Sequence, residues 1–139
     1  MTFDAAGFVR GFDGHGALLG LALVDTGDDW IELALPYAAK LAGDADTGVI
    51  AWGAVAALMD VATGMAVCAR RGGWAAQATL DLRVDRLRAP VPGRTVIGRG
   101  ECYLMTPTLA FVRGQAHDGD PADPVAHVAG TYMTLAPTP

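Results

Sequence analysis

At 139 residues, 52% of them hydrophobic, the chain is long enough for one compact domain with a real core and too short for two such domains of ordinary size. A formal charge of -5 and a pI near 4.9 exclude a general nucleic-acid binder, which needs a strongly basic face. The absence of any serine excludes serine catalysis.

The opening residues, MTFDAAGFVRGFDGHG, lack a basic start followed by an apolar core, so no signal peptide is expected. Residues 1–16 read as an N-terminal arm, with a short helix or ordered segment from Thr2 to about Phe12. Ala17 to Val24 (ALLGLALV) and Trp30 to Leu35 (WIELAL) are predicted as apolar strands separated by the turn DTGDD. Pro36 ends the second strand. Tyr37 to Thr47 follows as a short helix or loop, and GDADTG punctuates the entry to a long apolar run.

That run, Val49 to Ala69, predicts a helix starting near Trp52 or Gly53. It ends at Arg70-Arg71-Gly72-Gly73, where basic residues followed by glycine make a C-terminal signal. Some eighteen residues at 1.5 Å each span roughly 27 Å, the width of a small domain. A membrane span is rejected, because an Asp at the centre of such a helix costs about 2.5–3.5 kcal/mol on insertion scales. A helix wrapped by a sheet explains the same composition.

Four strands follow. Gln77 to Leu87 alternates Leu80, Leu82 and Val84 against Thr79, Asp81, Arg83 and Asp85, the period-two pattern of a half-buried strand. Thr95 to Leu104 and Leu109 to His117 join through MTPT, and Val125 to Leu135 comes after the polar loop DGDPADP. One strand face is built of small residues: Gly98, Gly100, Ala110, Gly114, Ala116, Ala126 and Gly130. The helix is equally rich in Gly and Ala, so the two can approach closely. The predicted fold class is therefore α+β, a curved antiparallel sheet wrapped around one long central helix. A layered parallel fold would need several crossover helices. No linker divides the chain, so residues 1–139 are read as a single domain.

Asp60 is the one charge within the apolar run from Val49 to Ala69. A carboxylate in such surroundings needs a partner or a use, which makes it a candidate general base, general acid or nucleophile. A capped or partnered structural Asp is the alternative. Thr63, three positions later on the same helix face, is placed either to bond that carboxylate or to bond back to the Met59 or Asp60 main chain. Eight of the ten basic residues are arginines between Arg70 and Arg113, a local patch suited to a small polyanion. His15, His117 and His127 are scattered, and Cys68 and Cys102 lack metal-like spacing, so no metal site or cofactor is expected. The cysteines read as small core residues in a reducing, cytoplasmic protein.

Two strands, a loop, one long helix and four strands is the order found in hotdog-fold proteins. Asp44 to Gly64 (DADTGVIAWGAVAALMDVATG), then ATLDLRVDRLRAP and TLAFVRGQAHD, resembles the PaaI-type acyl-CoA thioesterases over most of the chain after about Ala17. In that family the helix opens with His-Gly-Gly, and the catalytic acid lies nine positions after the His. The acid then falls on Asp60 and the His position on Ala51, within Ala51-Trp52-Gly53. The family's Asn, six positions before the His, falls on Ala45.

The resemblance implies a homodimer or homotetramer that hydrolyses an acyl-CoA thioester at a subunit interface, with no nucleic-acid or membrane partner. It implies that a backbone N–H of Trp52 or Gly53 polarises the thioester carbonyl, since that donor does not depend on the side chain. Asp60 of the partner subunit would activate water or attack directly. Thr79 stands where the family often carries a Ser or Thr near the reacting centre. Arg86 and Arg88 lie in the strand-exit segment where coenzyme A phosphates dock, and Thr63 completes the substrate-binding set. The alternative is a non-catalytic acyl-CoA or acyl-ligand binding hotdog protein, favoured by Ala51 and Ala45. A different hotdog reaction on a non-CoA ligand is the third reading.

Overall fold

The computed structural model describes residues 2–135. Two short helices, α1 (Ala5–Arg10) and α2 (Gly14–Leu19), precede strands β1 (Ala22–Thr26) and β2 (Trp30–Leu35). A single 3-10 turn (Ala39–Leu41) leads to the long helix α3 (Trp52–Arg71). Strands β3 (Gln77–Arg86), β4 (Val96–Met105), β5 (Leu109–His117) and β6 (Ala126–Thr134) follow. All six strands join one antiparallel sheet in the order β1-β2-β4-β5-β6-β3. The architecture is the expected sheet around one central helix, with β1 and β3 as its open edges.

The first strand starts later than the sequence pattern predicts. Ala17 to Leu19 belong to α2, which stops at Gly20 in the left-handed conformation (φ 73°), and sheet pairing begins only at Ala22. An apolar run such as ALLGLALV suits a buried helix turn as well as a strand. The glycine, whose N–H bonds the carbonyls of Ala17 and Gly16, decides between them.

Helix α3 ends as predicted, with Gly72 at φ 80° and its N–H on the carbonyls of Ala69 and Cys68. Its length and apolarity would suffice to cross a membrane, yet most of it is buried inside the domain. Val55, Leu58, Met59, Ala62, Ala66 and Val67 form the buried face. They meet Ile31, Leu33 and Leu35, which alternate inward along β2, and Val96, Cys102 and Val112 of β4 and β5. The small residues explain how close the layers come. A Cβ on Gly100 would lie 2.6 Å from the Thr63 nitrogen and 2.7 Å from the Ala62 carbonyl, both helix main chain.

Strand β3 departs from simple alternation. Its register against β6 shifts between Thr79 and Asp81, so Leu80 sits in a bulge and is 56% exposed rather than joining the core. Because a bulge adds one residue to one strand, Thr79 and Leu82 now share a face despite being three apart. The plain alternation places Thr79 with Asp81, Arg83 and Asp85 on the outside. The bulge instead turns its side chain toward α3 and Asp60, where it remains exposed.

Candidate active site

Asp60 sits midway along α3, half-buried, on the side of the helix that leans toward edge strand β3. Its Oδ1 accepts two hydrogen bonds, from the Thr79 hydroxyl at 2.9 Å and from the Tyr132 phenol at 2.8 Å. No hydrogen bond reaches Oδ2 among the described residues. The carboxylate is thus held by one oxygen and free at the other, the arrangement a positioned base or nucleophile requires.

Tyr132 is the site residue that the sequence reading missed. It faces inward from β6 opposite Thr79, is 4% exposed, and also lies 2.6 Å from the Asp60 carbonyl and 2.9 Å from the Thr63 hydroxyl. Burial and the neighbouring Asp60 carboxylate push its phenol above the ordinary tyrosine range, so it stays protonated and serves as a donor. Gly64 leaves room for it: a Cβ there would meet the Tyr132 ring at 3.3 Å. A buried tyrosine needs a partner for its hydroxyl, which was the available signal. The partner lies 72 residues away in sequence.

Thr63 takes the second of its two predicted roles. Its hydroxyl bonds the Met59 carbonyl at 2.7 Å, not the carboxylate, and the side chain is fully buried. Its hydroxyl also lies 2.9 Å from that of Tyr132, so Thr63 packs beneath the phenol and helps to place it.

A cavity of about 410 Å³ opens beside Asp60, walled chiefly by Phe8, Phe12, Val61, Met65, Cys68 and Trp74. The arm before β1, α1 and α2 with their connection, supplies two of these aromatic side chains. Both cysteines are free and buried, and burial raises both thiols above their ordinary range, so they behave as packing groups. Among the described residues no cluster of His, Cys, Asp and Glu has the arrangement of a metal site.

At the other end of α3, Ala51 occupies the N-cap with no side-chain hydrogen bond, and the N–H groups of Trp52 and Gly53 have no acceptor among the described residues. These are the unpaired donors that a helix start leaves, with its partial positive charge. A groove of about 420 Å³ borders them, lined by Asp44, Ile50, Trp52, Gly53 and Arg86. The Arg86 guanidinium lies 5.2 Å from the centre of the Trp52 ring, in cation–π range. Trp52 is half-buried and packs against the core.

The arginine patch disperses in three dimensions. Arg70 bonds the Cys102 carbonyl, Arg71 the Thr134 hydroxyl, and Arg83, Arg99 and Arg113 pair with Asp85, Glu32 and Glu101. Arg88 is the most committed. It grips Asp118 through two hydrogen bonds of 2.6 and 3.1 Å and reaches Asp123 at 3.1 Å, tying the loop after β3 to the loop after β5. Asp118, almost wholly buried, also accepts from the Val91 N–H, and the Arg88 contact lowers its carboxyl to about 2. Arg88 therefore has carboxylate partners already in place of a phosphate. Of the eight arginines, Arg70, Arg71, Arg86 and Arg94 lack a carboxylate partner among the described residues, and the side chains of Arg86 and Arg94 make no hydrogen bond there either.

A six-stranded antiparallel sheet curled around one long central helix is the hotdog fold. The sequence profile of the thioesterase superfamily matches residues 47–125, more than half of the chain. The chain belongs to the thioesterase superfamily, and that membership supports thioester hydrolysis in general terms. It is similar to a crystallographically determined protein of Pseudomonas aeruginosa (36% identity, 87% of this chain and 90% of that one, TM-score 0.79). A second, conserved protein from the same organism is 30% identical over 89% and 95% of the two chains, with a TM-score of 0.81. PaaI, from the phenylacetic acid degradation operon of Escherichia coli, shares the fold at 14% identity (94% and 91% covered, TM-score 0.81). No curated protein matches the chain.

Proposed function

We propose that the protein is an acyl-CoA thioesterase in which Asp60 is the reacting carboxylate. The observation that carries this reading is the one-sided anchoring of Asp60: Thr79 and Tyr132 hold Oδ1, and Oδ2 is left free at the mouth of an apolar cavity. Two routes start from Oδ2. As a base it takes a proton from water while the water oxygen bonds the thioester carbonyl carbon; the C–S bond then breaks and the thiolate takes the proton. As a nucleophile it forms a mixed anhydride with release of the thiolate, and water then hydrolyses the anhydride.

The oxyanion that develops in either route needs donors. Those on the same helix are too far: eight residues separate Trp52 from Asp60, about 12 Å of helix. A second copy of the chain, paired through the open edge at β3, supplies them if its own Trp52 and Gly53 N–H groups approach Asp60. The exposed edge of a curved sheet invites such pairing. The working unit is then a cytoplasmic homodimer, or a dimer of dimers, with two equivalent sites per dimer. Arg86, beside the helix start and without a carboxylate partner, is the residue that fits a coenzyme A phosphate. The second reading, an acyl-CoA binder without turnover, is favoured by the alanines at positions 45 and 51, which offer no polar side chain at the helix start.

Thiol release from a panel of acyl-CoAs, measured beside binding of the same panel, separates the two. Asp60→Asn keeps shape while removing the base and nucleophile. It is expected to lower turnover by about 10²-fold or more, with far less effect on affinity. A variant as fast as the parent eliminates Asp60 as the reacting group. Binding without any thiol release from the parent selects the second reading, and a monomer by light scattering at micromolar concentration removes the two-chain site.

A further inference from the structure

The cavity beside Asp60 carries information about the acyl group. It follows α3 from Asp60 to Cys68, eight residues or about 12 Å along the helix. A straight alkyl chain advances about 1.25 Å per carbon, given bonds near 1.5 Å and angles near 111°. A chain that starts at the carboxylate therefore reaches Cys68 with eight to ten carbons.

Two of the polar side chains on the walls are already engaged. The Tyr132 hydroxyl bonds Asp60, and the Gln77 amide nitrogen donates to the Gly64 carbonyl at 2.8 Å. The Gln77 oxygen, which has no partner, is closed off from the surface. Beyond the Asp60 mouth the walls are mostly apolar, so a hydroxylated or charged acyl tail would lose hydration with little to replace it, whereas an apolar chain loses nothing.

The rings from the arm are fixed in place. Phe8 stands between Phe3 and Phe12, at 5.6 Å from each ring centre, and meets Phe12 edge-on at 80°. Gly16 makes the space for Phe12, since a Cβ there would come within 3.1 Å of the ring. Phe8 and Phe12 both lie outside the stretch matched by the superfamily profile, residues 47–125.

We infer that the N-terminal arm shapes the cavity for straight, apolar acyl chains of about eight to ten carbons, with Phe12 as the wall that limits what fits. The inference rests on Asp60 marking the thioester end of the site. Phe12 is the terminal ring of the series, so its truncation enlarges the cavity while Phe3 and Phe8 still anchor the arm.

The test uses the full chain and two parallel panels from two to sixteen carbons. One is of acyl-CoAs, read as kcat/KM; the other is of S-alkyl-CoA thioethers, which have no scissile bond, read by calorimetry. Parent affinity for the thioethers should rise about fourfold per added carbon as each CH₂ is buried, then level off at eight to ten. Phe12→Ala should move that plateau up by two or more carbons, and Phe12→Trp should move it down. Affinity that ignores chain length overturns the inference, as does a tenfold preference for phenylacetyl-CoA over octanoyl-CoA. So does a plateau that neither variant moves. Length-dependent thioether binding with no thiol release upholds the inference while refuting the hydrolytic reading. Equal kcat/KM for every chain length does the reverse.

Discussion

Replacing Gly100 with alanine tests the central packing claim, that α3 rests on bare backbone. The added methyl would lie 2.6 Å from the Thr63 nitrogen and 2.7 Å from the carbonyl carbon and oxygen of Ala62. Comfortable contact between such atoms is about 3.5–4.0 Å, so helix and sheet must separate by about 1 Å. Neither partner is a side chain that can turn aside. Gly98 on the same strand is the control: its methyl would meet the Met59 sulfur at 2.8 Å and the Leu58 Cγ at 2.9 Å, and both side chains can rotate. Overpacking ordinarily costs 1–3 kcal/mol, so Gly98→Ala is expected near 1 kcal/mol and Gly100→Ala at about 3 kcal/mol or beyond. At roughly 3–5 °C per kcal/mol for a domain of this size, the shifts are about 3–5 °C and about 10 °C or more. Thermal denaturation at one fixed protein concentration reads both, because self-association stabilises by mass action. The displaced segment carries Thr63, which supports Tyr132, so turnover should fall with Gly100→Ala as well. Equal melting shifts for the two variants, or a Gly100→Ala protein as stable as the parent, would refute the backbone-contact argument.

Arg86→Ala is expected to weaken coenzyme A esters while sparing acyl-pantetheine esters and to flatten the salt dependence of binding; Arg88→Ala should instead lower the melting temperature and affect both ligand types alike. Asp118 has its carboxyl lowered from 3.8 to about 2, so its stabilisation is complete above the unfolded value and is lost as pH falls through the folded one. Acid unfolding followed by circular dichroism should therefore show a drop between about pH 4 and pH 2 that is shallower in Asp118→Asn. Tyr132→Phe removes one of the two donors on Asp60 Oδ1 and should reduce kcat with little change in KM, while Thr79→Ser, which keeps its donor, should remain close to the parent. Equal effects of these two variants would contradict the positioning role of the phenol.

The local pattern of the sequence was sufficient for the long helix, its glycine stop at Gly72, the four strands after it and the small faces that let helix and sheet meet. These follow from periodicity, capping and side-chain size, which act over a few residues. Asp60 was legible for the same reason, as one charge in an apolar run. The tertiary structure decided what surrounds it. The bulge at Leu80 reverses the face of Thr79, and a bulge is a property of pairing between two strands rather than of one. Tyr132 reaches Asp60 only because β6 lies beside β3, a neighbour set by sheet order and not by chain order. The arginines between Arg70 and Arg113 do not form one patch: Arg83, Arg99 and Arg113 share the outer face of the sheet, Arg86 ends β3 and Arg88 lies beyond it, and acids from other strands and loops, such as Glu32 and Asp118, claim several of them. Asp118, nearly buried and 30 residues from Arg88, together with Asp123 ties that arginine to the neighbouring loop, a pairing that no local pattern announces.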